Sequence, residues 1–135
     1  METIKILDLP LKAKWYDMQE CGEKTEEYRE VTPYWRNRLL GGCPFGIKDY
    51  WEPVLERTFE AISKNGERLP NSYNLQHLLA WQYGTRGYTH VRFRYGYTKR
   101  TFTHKIDSIT IGRGKPEWGA PSDRDVFIIK HHKSI

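Results

Sequence analysis

The side chains best suited to chemistry stand together near the N-terminus, in Gly22-Glu23-Lys24-Thr25-Glu26-Glu27-Tyr28-Arg29. In an extended chain Glu27 and Arg29 share one face, and Lys24 sits in the turn just before them. A carboxylate between two cations stays ionised, its pKa pulled down by both. Such a group can act as a base or hold a nucleoside. The two cations can hold phosphate, Arg through a planar fork and Lys as a point charge. The same spacing also describes a salt-bridged strand face that only orders the turn.

A second cluster runs from Arg86 to Lys115. It contains Arg86, Arg92, Arg94, Lys99, Arg100, Lys105, Arg113 and Lys115, with Asp107 as its one acid, and Tyr88, Phe93, Tyr95, Tyr97 and Phe102 are interleaved. Cations neutralise phosphates, and exposed rings stack on unpaired bases. Strand alternation puts Arg92 and Arg94 on one face and Val91, Phe93 and Tyr95 on the other. The second face reads as core, so Phe93 is expected to be buried. Tyr97 and Phe102, near the turn, are the stacking candidates. Charge along the chain points the same way: residues 1–67 carry 10 Lys/Arg against 13 Asp/Glu, and residues 68–135 carry 12 against 4. An excess this lopsided suggests a polyanionic partner on the second half.

Other chemistries find little support. His131-His132 have no Cys or carboxylate at metal spacing, and His77, His90 and His104 fall in different elements, so neither a metal site nor a cofactor is expected. Gly112-x-Gly114 begins like a dinucleotide fingerprint, but Glu117 stands where a third Gly belongs and no helix follows. Cys21 falls at a helix end and reads as a packing residue. No apolar run exceeds four residues, and the start METIKILDLPLK lacks the long apolar stretch of a secretory signal. Two cysteines without metal spacing fit a reducing compartment, so a cytoplasmic protein without membrane contact is expected.

The elements that must position these residues follow from periodicity. Ile4, Ile6 and Leu7 suggest a first strand. Leu11, Trp15 and Met18 form a helical stripe over 11–21, which Gly22 can end. Thr25–Val31 reads as a strand. Thr32-Pro33 is a helix start, Thr as cap and Pro at the first helical position, with a helix over 33–40. Further helices are expected over 50–64 and 74–83. Strands are expected around 91–95 and over 102–111, with a break of alternation near Asp107-Ser108. A long Gly- and Pro-rich turn then runs from Gly112 to Pro121, and Val126–Ile129 forms a last strand. The pattern makes a single α+β domain with a small, strongly curved sheet or barrel.

The spacing Gly22-x-Lys24-x-x-Glu27-x-Arg29 resembles the G-x-K-x-x-E-x-R signature of ASCH domains, members of the PUA-like group of RNA-associated barrels. Further blocks resemble a subgroup of bacterial and phage ASCH proteins. They are Lys14–Met18, Pro33-Tyr34-Trp35, Val91–Arg94, Gly96-Tyr97 and Gly112–Pro121. The resemblance covers about two-thirds of the chain and leaves 41–88 as a helical insertion. It implies a small PUA-like β-barrel with flanking helices, and a cleft lined by Lys24, Glu27 and Arg29, with Trp118 as a lid or as a plug at one barrel end. Two activities occur in the wider family: deacetylation of N4-acetylcytidine and RNA cleavage. The deacetylases pair a Lys at the position of Lys24 with a Thr nucleophile at the position that Glu27 holds here, so this chain lacks that hydroxyl.

Three functions are therefore expected to compete. The first is an RNA-binding module, or one for another nucleic acid or a modified nucleoside, with Arg86, Arg92, Arg94, Tyr97, Lys99, Arg100, Lys105 and Arg113 on the backbone. The second is a small metal-independent hydrolase of an acylated nucleoside or RNA, with Glu27 activating water and Lys24 stabilising negative charge. The third is an accessory protein that contacts a protein partner through 41–88, where Phe45, Tyr50, Trp51, Phe59 and Tyr73 supply rings. No oligomeric state follows from the sequence.

Overall fold

The computed structural model describes residues 3–39, 57, 59–61, 64 and 87–133. Their elements follow in the order β1 (Ile6–Leu11), α1 (Ala13–Glu20), β2 (Glu26–Arg29), α2 (Pro33–Leu39), β3 (His90–Tyr95), β4 (Thr101–Gly112), a 3-10 turn (Pro116–Trp118) and β5 (Val126–His132). The strands form one curled, barrel-like sheet in the order β1-β3-β4-β5-β2, so the chain is α+β as expected. The expected insertion over 41–88 lies almost wholly outside the described residues; within it, residues 57, 59–61 and 64 are helical. No helix among the described residues is long and apolar enough to cross a membrane. The chain divides into two compact units. One is Met1–Glu27, Gly87–Thr110 and Ile128–Ile135; the other is Tyr28–Arg86 and Ile111–Phe127.

In the first unit, β1 runs parallel to β3 from Ile6 opposite His90 to Leu11 opposite Tyr95. Leu7, Leu9 and Leu11 alternate with Asp8 and Pro10, and all three leucines are buried. Pro10, which has no N–H to donate, is tolerated because β1 lies at the sheet edge. The sequence reading assigned Leu11 to a helical stripe over 11–21. Instead it ends β1, and α1 begins two residues later and buries Tyr16 and Gln19. Here the two-residue period prevailed over the helical one, because the strand can add Leu11 to a row of leucines already buried.

Gly22 ends α1 as expected, with φ at 88°, a conformation that costs glycine little. The turn closes through the Lys24 N–H, which donates to the Met18 carbonyl at 2.9 Å. Cys21, read as a packing residue, is exposed. It lies five residues beyond Tyr16, about 140° round the helix from the buried face. β3 then turns into antiparallel β4. β4 is continuous across Asp107-Ser108, and its alternation of burial slips at Ser108-Ile109.

In the second unit, Thr32 caps α2. The Trp35 N–H donates to Thr32 Oγ1 at 3.4 Å, and the Arg36 N–H to the Thr32 carbonyl at 2.9 Å. The buried core here includes Val31, Leu39, Phe59, Val126 and Phe127. The Gly112–Pro121 segment is anchored on Tyr28, whose hydroxyl accepts the Lys115 N–H at 3.0 Å. Gly114 makes that approach possible. A Cβ there would lie 2.6 Å from Ala120 Cβ and 2.6 Å from Tyr28 Cε1. Gly114→Ala is therefore expected to destabilise the protein by roughly 1–3 kcal/mol, the usual cost of overpacking. Urea unfolding measures it, and an unchanged midpoint would show that the segment gives way freely.

Candidate functional site

Lys24 and Glu27 meet. Lys24 Nζ lies 2.9 Å from Glu27 Oε1, and the two residues are 1% and 4% exposed. The ammonium also sits 4.9 Å from the centroid of the Trp15 ring, which is half-buried on α1. The turn at Gly22 and the short strand β2 bring the pair together: the turn carries Lys24 back, and the strand directs Glu27 inward. Thr25, between them, is exposed. Arg29, at the end of β2, is half-buried in the second unit. Its Nη1 donates to the Tyr28 carbonyl at 2.8 Å, and its guanidinium stands 5.2 Å from the Trp35 centroid.

The basic stretch is less uniform than its sequence. Arg92 makes a forked pair with Asp8, Nε to Oδ1 at 2.6 Å and Nη2 to Oδ2 at 2.9 Å. The β1–β3 register dictates this, since Asp8 stands directly opposite Arg92. Arg94 reaches the same carboxylate at 3.9 Å. Arg100 donates to Glu20 at 3.3 Å and stacks on Tyr16 and Tyr95. In the second unit Arg113 pairs with Asp125 at 2.9 Å, and Lys115 lies 4.2 Å from the Trp118 centroid. Trp118 is half-buried in the 3-10 turn. Arg86 lies outside the described residues.

Lys99, Lys105 and Tyr97 remain as exposed groups, and Tyr97 is 97% exposed. It stands on a turn that is held firmly. The Tyr95 N–H donates to the Arg100 carbonyl at 2.9 Å, Thr98 Oγ1 to the Tyr95 carbonyl at 2.6 Å, and Arg94 Nη1 to the Thr98 carbonyl at 3.1 Å. The Gly96 N–H reaches the Leu11 carbonyl at 2.8 Å. Phe102, the other stacking candidate, is packed instead. Its ring lies 4.8 Å from Tyr16, 5.2 Å from Phe93 and 4.8 Å from His104. Phe93 is fully buried, as expected.

A buried histidine pair was not foreseen. His104 Nδ1 and His131 Nδ1 are 3.0 Å apart, and His131 Nε2 bonds Gln19 Oε1. If Nε2 carries the proton given to Gln19, His131 Nδ1 accepts from His104 Nδ1–H, and both rings are neutral. A second proton at His131 Nδ1 would set N–H against N–H. Burial first, and then repulsion from His104, lower the His131 pKa; Glu27 and Asp107 oppose the shift and the Lys24 charge adds to it, which together leave it at about 4. His104 is also lowered, first by burial and then by the charges of Lys133 and His132. The signal for His131 was available: it continues the every-second-residue row of Phe127 and Ile129.

Among the described residues no group of three or more His, Cys, Asp and Glu could hold a metal ion. Comparison with protein families, with curated proteins and with solved structures finds no match in any of the three.

Two stability tests follow. Removing Lys24 takes the ammonium away from a buried carboxylate, so Lys24→Met is expected to cost about 3–5 kcal/mol, and adding Glu27→Leu should recover much of the loss. Chemical unfolding of both variants checks this; a single variant as stable as the double one would mean the pair is not closed off. The second test concerns pH. An unfolded chain protonates His131 near pH 6.5 and the folded chain only near 4. Between these values the unfolded state binds the extra proton, so stability is full above about pH 6.5 and drains as pH falls toward 4, by on the order of 3 kcal/mol. Melting temperatures from pH 7 to 4 should fall, and His131→Leu should flatten the decline within that window.

Proposed function

We propose that the chain is an RNA-binding module of the ASCH kind, with the basic, aromatic β3–β4 hairpin as a principal contact. One observation carries the reading: Tyr97 is 97% exposed on a hydrogen-bonded turn, two residues from exposed Lys99. A ring left in water gains nothing for the fold, and a turn already ordered pays little further entropy when a ligand arrives. Such a ring stacks on an unpaired base, worth about 1–3 kcal/mol, while lysines neutralise the flanking phosphates.

The signature residues support the same reading from the other side. A buried ion pair adds little stability over apolar residues of similar size. Lys24 and Glu27 are therefore better explained as part of a ligand site, with the ring of half-buried Trp15 4.9 Å from the ammonium. Arg92, Arg94, Arg100 and Arg113 already have carboxylate partners, so they contribute less to phosphate binding than their number in the sequence suggests.

Fluorescence anisotropy with a single-stranded RNA oligomer tests the proposal. Affinity should fall steeply between roughly 50 and 200 mM salt. Tyr97→Ala should weaken binding by about fivefold or more without changing the salt slope, whereas Lys99→Gln should lower that slope by about one. A flat salt response, or no affinity at low salt, overturns it.

The Lys24–Glu27 contact also favours a second reading, a metal-independent hydrolase of an acylated nucleoside or RNA. There Glu27, 2.9 Å from the Lys24 ammonium, would take a proton from water. Mass spectrometry after incubation with N4-acetylcytidine and with an RNA oligomer decides it. Turnover lost in Glu27→Gln supports catalysis, and unchanged substrates reject it.

A further inference from the structure

We propose that the outer face of the first unit's sheet is a second contact for single-stranded RNA, where Lys105 of β4 and Lys130 of β5 hold phosphates and the Asp107–His132 pair reads the ribose. This rests on the RNA-binding reading above and extends it from the Tyr97 turn to the C-terminal strand, which that reading does not use.

Alternation decides which side chains stand on this face. On β4, Phe102 packs on Tyr16 and His104 meets His131, so both turn inward. Thr101, Thr103, Lys105 and Asp107 therefore turn outward, and all four are exposed. On β5, His131 turns inward to Gln19, so Lys130 and His132 turn outward, and both are exposed. The two strands are neighbours, and His132 Nδ1 lies 2.7 Å from Asp107 Oδ1, so their outward rows meet. Lys105 stands about 14 Å along β4 from Thr101, where the strand leaves the Tyr97 turn, at roughly 3.4 Å per residue. A strand stacked on Tyr97 thus runs on along β4 to reach Lys105 and then β5.

The charge of the face suits a polyanion. Every Asp and Glu of this unit except Glu2 is among the described residues. On this face Asp8 is held by Arg92 and Arg94, and Asp107 by His132. Neither Lys105 nor Lys130 has a carboxylate partner among the described residues. Thr101 and Thr103 add hydroxyl donors, which phosphate oxygens accept. A protein partner would need large apolar anchors, and here the described residues offer only Ile6, at the β1 edge. The Asp107–His132 pair adds what lysines lack. A carboxylate only accepts hydrogen bonds, so in the neutral ring Nδ1 carries the proton given to Asp107, and Nε2 is left as an acceptor. A phosphodiester has no proton to give it. The ribose 2′-hydroxyl has one, and DNA lacks that group.

The test uses the full chain, a single-stranded RNA oligomer and the DNA oligomer of the same sequence, with anisotropy read across a salt series. Lys105→Gln and Lys130→Gln should each lower the salt slope for both oligomers by about one. Wild-type protein should bind RNA about fivefold more tightly than DNA, the worth of one hydrogen bond, and His132→Phe should bring that ratio to about one. Thermal melting shows that each variant, altered at an exposed position, keeps the fold. The RNA-to-DNA ratio is a readout that a cross-strand pair with a merely structural role would not move. Unchanged slopes in both folded lysine variants, or equal affinity of wild-type protein for RNA and DNA, overturn this face. If Tyr97→Ala still weakens RNA binding in that case, the reading of the turn stands. If wild-type protein binds no RNA at low salt, that reading fails first and this face with it.

Discussion

The parallel pairing of β1 with β3 is the constraint on which most of the first unit depends. It joins strands separated by nearly eighty residues, and a parallel neighbour always requires such a crossover. The pairing is set by three leucines on β1 and by Val91 and Phe93 on β3, all buried. Because side chains alternate strictly, this hydrophobic match also fixes the polar face: once Leu7 and Leu9 face inward, Asp8 must stand opposite Arg92. The same register places the Leu11 carbonyl where the Gly96 N–H can reach it, so the edge strand also steadies the hairpin that displays Tyr97.

That register changes the electrostatic meaning of the chain. Along the sequence, acids crowd the first half and bases the second. In the folded unit, Asp8 and Glu20 from the first half neutralise Arg92, Arg94 and Arg100 from the second. These pairs are partly exposed, so each adds little stability. Their larger effect is to concentrate uncompensated positive charge at the exposed lysines. Lys99 and Lys105 have no carboxylate partner among the described residues, and Lys99 lies two residues from Tyr97, whose ring is almost wholly in water.

Much of this architecture was legible from residue types. The Gly22 stop, the Thr32-Pro33 start, the alternation of β3 and the burial of Phe93 are local signals, and local physics decided them. The Lys24–Glu27 contact was half legible: the spacing showed that the two could meet, but not that they would be closed off from solvent. What escaped depends on strands far apart in sequence. Asp8 gives no hint of Arg92 until β1 finds β3. His104 and His131 seem scattered until β4 and β5 lie side by side. Phe102 looked available for stacking because Tyr16, which covers it, comes from a helix more than eighty residues earlier. Leu11 was misplaced for a different reason: it fits both a helical stripe and a strand row, and only the burial of the neighbouring leucines settles which.

The buried polar groups of the first unit raise a last question, since hydrophobic residues would stabilise the core as well or better. Register offers an answer. Val126 to Ile129 are buried at every position, so that run does not distinguish one alignment of β5 from another shifted by a residue. His131 does. In the observed alignment its ring meets Gln19 on one side and His104 on the other, and its backbone N–H donates to the Thr25 carbonyl at 3.1 Å. A one-residue slip would turn the ring to the opposite face, leaving Gln19 and His104 buried without it, at a cost of about 1–3 kcal/mol for each stranded polar group. The apolar residues of β5 thus drive its burial, and the histidine selects which burial is native. Because that selection uses neutral rings, acid weakens it, and the fold's precision is tied to the protonation state of a group near the signature pair.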